Sequence, residues 1–220
     1  MNINTILLFD TTKSIAEPLL IKHEHPWEIL SEIKSFIIEL GNSLSKESYT
    51  QISENIWIAK NAIIFPTAQI NGPCIIDENT EIRHCAYIRG SAIIGKNCVV
   101  GNSTELKNCI LFDGVQVPHF NYIGDSILGY KSHLGAGAVT SNVKSDKSPV
   151  AIKYKNEKIE TGLKKFGAMV GDFTEVGCNS VLCPGTVLGR NCTVYPTSCV
   201  RGFIEENSIF KSADSVVKKH

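Results

Sequence analysis

The chain of 220 residues lacks a net charge, a long apolar run near its start and any C-x-x-C pair of cysteines. Lysine plus arginine and aspartate plus glutamate each number 22, so neither nucleic acid nor an anionic membrane is expected as the main partner. The longest early apolar run, Ile6–Phe9, is far too short for a signal peptide or a membrane span. These absences predict a cytoplasmic protein with no membrane and no nucleic-acid partner.

The eight cysteines also lack the spacing of a zinc site or a redox pair, because no two of them are separated by two residues. Cys74, Cys98 and Cys192 occupy a small position of the repeat described below, where cysteine acts as a small apolar residue. The other five are scattered along the chain. We therefore expect unpaired thiols in a reducing compartment and no metal ion.

What the sequence does have is a period of six residues. Large apolar anchors recur at this spacing, lapse, and resume: Ile58, Ile64, Ile70, Ile76, Ile82, Ile88, Ile94, Val100, Leu106 and Phe112, then Val170, Val176, Leu182, Leu188, Val194 and Val200. The position four residues after an anchor is small throughout both runs. Neither an α-helix nor a simple strand has this period, whereas a chain that turns a corner every six residues does. The sequence predicts a mainly β protein, a left-handed parallel β-helix of hexapeptide repeats.

The period divides the chain into segments. Residues 1–50 do not share it and are predicted to form a small N-terminal α/β cap over the open end of the β-helix, where backbone groups would otherwise be unpaired. Residues 51–205 are assigned to the β-helix, with a lysine-rich loop inserted at 140–167. Residues 206–220 are expected to be a C-terminal tail along the last coil.

Within the cap, the sequence predicts one strand and one helix. Ile3–Phe9 is predicted to be the strand. Between Pro26 and Gly41 apolar residues recur at helical spacing, and the glycine is expected to end the helix.

Two basic residues are predicted to stack on each other. Three repeats make a coil of about 18 residues, so Arg89 and Lys107 should lie on adjacent coils at about 4.8 Å. Like charges in this arrangement repel each other unless they are exposed and splayed, or unless an anion lies between them. Both interpretations stay open, and the spacing favours an anion such as a phosphate.

One histidine precedes an irregular step of the repeat. The step from Ile123 to Leu128 has five residues instead of six, and irregularities of this kind often mark a site. His119 is expected to point outward just before it, and histidine is the residue type that most often acts as a general base. Gly135–Ala138 then offers small side chains past which a cofactor could approach the backbone.

These motifs resemble a known family. The run from His119 through Phe-Asn-Tyr-Ile-Gly-Asp-Ser, followed by the run from Gly135 to Asn142, is similar to the glucosamine-1-phosphate N-acetyltransferase domain of bifunctional enzymes that make UDP-N-acetylglucosamine. The resemblance covers about residues 58–205. It is strongest to the archaeal-type enzymes, which have a similar lysine-rich insertion.

The resemblance implies an acetyl-CoA-dependent N-acetyltransferase that needs no metal for the transfer and forms a homotrimer with active sites between subunits. By position, His119 corresponds to the catalytic base and Glu105 to the carboxylate that orients it. A backbone N–H or Asn142 would stabilise the oxyanion. The positions that match other substrate contacts are Arg89 and Lys107 for the sugar phosphate, Tyr122, Asn142 and, one residue out of register, Lys147. The positions that match acetyl-CoA contacts are Ala136 and Cys178.

The sequence also departs from the family. His133 stands at a substrate-contact position where many relatives have asparagine, and Val143 replaces a tyrosine. The nucleotidyltransferase domain of bifunctional relatives has no counterpart in residues 1–50. These differences leave open which hexosamine 1-phosphate, that of glucosamine or of galactosamine, is the substrate in nucleotide-sugar synthesis.

Three alternative functions stay open. The protein could acetylate another amino sugar or transfer a longer acyl group. It could be a hexapeptide carbonic anhydrase, although that zinc site needs three converging histidines and the spacing of His84, His119 and His133 does not resemble it. It could also be a non-catalytic trimeric β-helix partner of a separate sugar-phosphate nucleotidyltransferase.

Overall fold

The computed structural model describes residues 3–219, and its framework is a stack of parallel strands. The strands before the insertion are β1 (Tyr49–Ser53), β2 (Ile56–Ala59), β3 (Ile63–Ile64), β4 (Gln69–Ile70), β5 (Cys74–Ile76), β6 (Glu81–Ile82), β7 (Tyr87–Ile88), β8 (Ala92–Ile94), β9 (Val99–Asn102), β10 (Glu105–Leu111), β11 (Gln116–His119), β12 (Tyr122–Leu128), β13 (His133–Leu134) and β14 (Val139–Thr140). Those of the insertion and the later coils are β15 (Ala151–Tyr154), β16 (Glu157–Glu160), β17 (Ala168–Val170), β18 (Glu175–Val176), β19 (Val181–Leu182), β20 (Thr186–Leu188), β21 (Thr193–Val194), β22 (Cys199–Val200), β23 (Phe203–Ile204), β24 (Ser208–Ser212) and β25 (Ser215–Lys218). The predicted parallel β-helix is confirmed.

Successive strands fall on three faces, which we number in the direction of the chain. Face 1 contains β2, β5, β8, the second halves of β10 and β12, β17, β20 and β23. Face 2 contains β3, β6, β9, β11, β13, β18, β21 and β24. Face 3 contains β4, β7, the first halves of β10 and β12, β14, β19 and β22. Corners are named by the faces they join, so the chain passes from face 3 to face 1 at corner 3–1.

The two periodic positions of the sequence form the interior. Anchors such as Ile76 and small residues such as Cys74 and Thr80 are fully buried. The Thr80 hydroxyl donates a hydrogen bond to the Gly95 carbonyl at 2.6 Å and accepts one from the Cys98 N–H at 2.9 Å. Threonine can therefore occupy the small position because its hydroxyl is satisfied by backbone groups.

Corner 3–1 is shortened in two consecutive coils. Leu111 pairs with Ile94, and Leu128 pairs with Leu111, both at a spacing of 17 residues instead of 18. The prediction of Phe112 as an anchor is therefore wrong: Leu111 takes the interior position, and the Phe112 ring lies 5.1 Å from the ring of Phe9. The first five-residue step was hidden because both candidate residues are large and apolar.

The segment before the β-helix consists of short helices. They are α1 (Thr5–Leu8), a 3₁₀ helix at Thr11–Lys13, α2 (Glu17–Leu20), a 3₁₀ helix at Pro26–Ser31 and α3 (Ile33–Ser43). The predicted strand at Ile3–Phe9 is wrong, because the Asn4 side chain caps α1 by accepting a hydrogen bond from the Leu7 N–H at 3.0 Å. The helix predicted between Pro26 and Gly41 is present as two pieces, and α3 runs past the glycine.

This helical segment lies along face 1 and not over the open end, where β1 pairs antiparallel with β2 instead. Face 1 has a column of outward apolar side chains that are all buried: Trp57, Ile75, Ile93, Ile110, Ile127, Met169 and Val187. Helix α3 packs on β5, β8 and β10, and Gly41 lies so close to the Trp57 ring that a Cβ has no room. Because exposure of such a column is unfavourable, the segment packs on the face and the prediction of a cap over the end is wrong.

The insertion and the C-terminal residues also carry strands. The insertion leaves at corner 3–1 after β14, forms an antiparallel hairpin of β15 and β16, and the period resumes at β17. The region predicted as a tail begins with β24, which pairs in parallel with β21 as part of the coil, and β25 returns antiparallel to it. Between residues 3 and 219 no helix is long and apolar enough to cross a membrane.

Candidate active site

Corner 3–1 carries a column of polar side chains. The structure places Arg89 and Lys107 on adjacent coils, as the 18-residue spacing predicts, and places Asn108, Asp125 and Asn142 in line on successive coils. The backbones of Asn108 and Asp125 adopt left-handed conformations, with φ values of 49° and 48°. Asparagine and aspartate tolerate this region better than other side chains do, which lets the shortened corners close.

Asp125 lies at the centre of this column, with a side chain that is only 4% exposed. Its carboxylate accepts hydrogen bonds from Lys107 Nζ at 2.8 and 3.0 Å, from Asn108 Nδ2 at 2.9 Å and from Asn142 Nδ2 at 2.5 Å. Asn108 Nδ2 also donates to the Leu30 carbonyl at 3.0 Å, which joins the column to the helical segment. A buried carboxylate with this many donors is held in one orientation.

Arg89 forms a second, more exposed ion pair with Glu105. Nη1 of Arg89 lies 2.7 Å from Oε1 of Glu105, and the two side chains are 45% and 33% exposed. The hydrogen bond to Glu105 raises the pKa of Arg89, which stays charged. Arg89, Lys107 and Lys34 of α3 line one surface depression of about 440 Å³. Of these three cations, Lys34 alone has no carboxylate within 4.0 Å in the described part of the chain.

Tyr122 joins the column from face 3. Its hydroxyl lies 3.3 Å from Asn142 Nδ2, and Gly124 leaves the room that the hydroxyl needs. Burial, followed by the nearby charges of Asp125 and Glu105, raises the pKa of Tyr122, so the hydroxyl keeps its proton at neutral pH. Since Asp125 and Tyr122 take both N–H groups of Asn142, the geometry does not support Asn142 as the donor to an oxyanion.

A second column lies at corner 2–3 and begins with two residues of β9 and β11. His119 pairs with Asn102 on the preceding coil, and Ala136 and Cys178 follow in line on the next two coils. His119 and Cys178 are exposed. The His119 ring makes no hydrogen bond within residues 3–219, and Glu105 contacts Arg89 instead. The structure thus brings the predicted base and both predicted cofactor contacts to one corner.

Two other predicted site residues lie apart from both columns. His133 is on face 2, where its Nδ1 lies 2.7 Å from Oε2 of Glu175. Lys147 is exposed in the insertion, and no carboxylate of the described residues lies within 4.0 Å of its amine. No three His, Cys, Asp or Glu side chains among residues 3–219 are grouped so as to hold a metal ion.

Sequence reasoning missed three residues of this site, Asn108, Asp125 and Lys34. Asn108 and Asp125 were detectable, because they lie 17 residues apart, which is one shortened coil. Lys34 left no such signal, since its place beside the depression depends on how the helical segment packs on face 1.

Comparison with known proteins identifies relatives of this chain. Residues 70–209 match the family model described as the GMPPB C-terminal domain. The chain is 32% identical over 198 residues to the bifunctional protein GlmU of Methanococcus maripaludis, which covers 89% of this chain and 48% of that protein. It is 29% identical over 102 residues to the bifunctional sugar-1-phosphate nucleotidylyltransferase/acetyltransferase of Sulfurisphaera tokodaii, over 46% of this chain and 25% of that protein. A solved structure, the UDP-N-acetylglucosamine acyltransferase of Francisella novicida, aligns with a TM-score of 0.41 at 13% identity, over 72% of this chain and 67% of that one.

The stacked coils and their six-residue period define a protein of the hexapeptide-repeat β-helix class. Within that class, the chain belongs to the family described as the GMPPB C-terminal domain. The resemblance drawn from the sequence motifs is confirmed by the archaeal bifunctional relatives. The chain spans about half the length of the Methanococcus relative.

Proposed function

We propose that the protein is an acetyl-CoA-dependent N-acetyltransferase that acts on a hexosamine 1-phosphate, either glucosamine 1-phosphate or galactosamine 1-phosphate, in nucleotide-sugar synthesis. The observation that carries the proposal is the pair of cations at corner 3–1. Arg89 and Lys107 line one depression with Lys34, which suits a phosphate on a small sugar. The similarity to the Sulfurisphaera tokodaii protein, whose name includes an acetyltransferase, supports the same reaction.

The positions of the two columns support a homotrimer with active sites between subunits. His119 lies at corner 2–3 and Lys107 at corner 3–1, so the whole of face 3 separates them. Outward side chains at two corners of a triangular coil diverge, and one chain therefore does not enclose both in a single pocket. A neighbouring copy can bring its corner 2–3 against corner 3–1 of the first, which completes a site with base, cofactor contacts and phosphate contacts.

The reaction proposed for this composite site is direct acetyl transfer. Arg89 and Lys107 hold the sugar phosphate and so place the amine beside the thioester carbonyl of acetyl-CoA, which lies along Ala136 and Cys178. Positioning of this kind contributes several kcal/mol, of the order of 7. The amine nitrogen forms a bond to the carbonyl carbon while His119 takes the amine proton, a step worth about 10²–10⁴-fold. The C–S bond then breaks, and the coenzyme A sulfur leaves as a thiol with the proton from His119.

The test is an assay of thiol release with acetyl-CoA and glucosamine 1-phosphate, run beside galactosamine 1-phosphate. We expect one of the two sugars to give equal amounts of free coenzyme A and N-acetylated sugar phosphate. Light scattering of the same preparation should give the mass of a trimer. No turnover with either sugar, together with no binding of acetyl-CoA in calorimetry, would overturn the proposal and favour a non-catalytic partner protein.

A further inference from the structure

Asp125 determines which atoms its neighbours present to a ligand. An ionised carboxylate can only accept hydrogen bonds, so the atom of Asn142 that faces it at 2.5 Å must be Nδ2. The second N–H of that amide is directed to the Tyr122 hydroxyl at 3.3 Å. Within residues 3–219 no group donates to Oδ1 of Asn142, which stays free to accept a hydrogen bond.

The same contacts leave the Tyr122 hydroxyl as a donor. Its oxygen accepts from Asn142, and among residues 3–219 no acceptor takes its proton. Burial raises the pKa of Tyr122, which keeps that proton in place. The hydroxyl can therefore donate to a negatively charged ligand oxygen near Arg89 and Lys107.

Lys107 is fixed by the same carboxylate. Its amine lies 2.8 and 3.0 Å from the two carboxylate oxygens of Asp125, and an ammonium group has three N–H donors. At least one donor therefore stays free for a ligand. The side chain of Lys107 is 26% exposed and that of Asp125 only 4%, so the carboxylate holds the amine from the protein side.

We propose that Asp125 is a positioning residue that gives the site its donor and acceptor pattern, with Lys107 and Tyr122 donating to an anionic group and Oδ1 of Asn142 accepting from an N–H or O–H group on the same ligand. This inference rests on the proposed function and deepens it. It selects ligands that carry a phosphate together with a nearby hydrogen-bond donor, such as an amine. An ammonium group donates a charge-assisted hydrogen bond to Oδ1 of Asn142, which is stronger than the bond that a hydroxyl at the same place donates.

The test compares Asp125→Asn with the matched control Asp172→Asn. Asp172 is also buried, pairs with Arg190 and accepts hydrogen bonds from two backbone N–H groups, but it lies at corner 1–2, outside the site. For D125N we expect kcat/KM for the amino-sugar phosphate to fall by roughly 10- to 100-fold, the loss expected for hydrogen bonds to a charged group, with the KM for acetyl-CoA unchanged. D172N should lower the melting temperature and leave all kinetic constants unchanged.

A second readout depends on the amide of Asn142. Calorimetry should show that the wild-type protein binds glucosamine 1-phosphate more tightly than glucose 1-phosphate. D125N should lose most of this preference, because an amide at position 125 can also donate a hydrogen bond and so allows the side-chain amide of Asn142 to flip. An unchanged preference in D125N, or the same loss in D172N, would overturn the inference. If the wild-type protein binds both sugars but transfers no acetyl group, the proposed function fails while the role of Asp125 is still tested by this preference.

If D125N does not give a cooperative melting transition, a second variant tests the same contact from its partly exposed end, at Asn142. The hydroxyl of Asn142→Ser is too short to join Asp125 to Tyr122. The inference predicts the same loss of preference for the amine-bearing ligand, with the KM for acetyl-CoA unchanged. Wild-type preference in this variant would contradict it.

Discussion

The coils with 18-residue spacing and the two shortened coils carry different kinds of residue at corner 3–1. At the regular corner of face 3 and face 1 the chain uses small residues, as at Gly72 and Gly90, whose neighbours leave no room for a Cβ. At the shortened corners it places Lys107 and Asn108, and then Gly124 and Asp125. The regular coils stack closely at this corner through small residues, whereas the shortened coils bring charged side chains of successive coils into contact.

Stability and chemistry depend on different parts of these coils. On face 1 the regular coils bury apolar side chains on both sides of the strand, and the shortened coils do the same at Ile110 and Ile127. The shortened coils hold Asp125 in a network of hydrogen bonds and expose His119 at the neighbouring corner. Substitutions in the two regions should therefore have different consequences.

The largest effect is expected for His119→Ala, which removes the proposed base from a shortened coil. We expect kcat to fall by about 10²–10⁴-fold, the usual contribution of a general base, with the melting temperature unchanged because the ring is exposed. Thiol-release kinetics and a thermal melt measure the two quantities. Near-normal turnover in this variant would contradict the assignment of the base.

The regular coils should respond in stability instead. Ile93 points outward on face 1 but is fully buried beneath the helical segment. Ile93→Ala should lower the free energy of unfolding by about 2–5 kcal/mol, because it leaves a cavity between the strand and the helices. Denaturant unfolding measures this loss. The control is Val99→Ala on β9 of face 2, which points outward at a partly exposed position and should cost far less. Equal losses would mean that face 1 is not covered as described.

Restoring the regular step tests the shortened corner directly. A glycine inserted after Asn108 returns that coil to 18 residues, so the strands can still stack. The longer corner displaces Asn108, which lies opposite Asp125, and so disturbs the neighbouring contact between Lys107 and Asp125. We expect kcat/KM for the amino-sugar phosphate to fall by roughly 10- to 100-fold as that charged contact is lost. The control is a glycine inserted after Gly162 in the insertion, where a Cβ built on the backbone would contact no other atom within 4 Å. Full activity after the first insertion would show that the shortened step is not needed.

The sequence was sufficient for the β-helix because its interior follows two independent periodic positions. It also contained the outward apolar column of face 1, since Trp57, Ile75 and Ile93 stand at one fixed phase of the 18-residue coil. The pattern of that column does not show which segment covers it, and the sequence alone favours the helical segment over the open end. The packing of this segment depends on tertiary contacts. Its local pattern, which is apolar over Ile3–Phe9, could not predict them.

The site was predictable to the extent that it follows the coil. The 18-residue spacing placed Arg89 beside Lys107, and the family motif singled out His119. The partners of these side chains were not predictable, because which carboxylate a flexible cation meets depends on side-chain geometry. Glu105 was expected beside His119 and lies against Arg89, and both N–H groups of Asn142 are already taken.

The smallest effect is expected at the exposed ion pair, and it has the opposite sign. Glu105 occupies the guanidinium of Arg89 with little burial, so a phosphate entering the depression must compete with it. Glu105→Gln should therefore tighten binding of inorganic phosphate about two- to fivefold, the range that an exposed ion pair can supply. Calorimetry at low and high salt measures the gain, which salt should reduce. The matched control is Glu81→Gln, which removes an equally exposed carboxylate from Arg83 on face 2 and should leave phosphate binding unchanged. Weaker phosphate binding in E105Q would mean that Glu105 orients Arg89 for the ligand and does not compete with the ligand. The buried Asp125 and the exposed Glu105 would then both favour ligand binding.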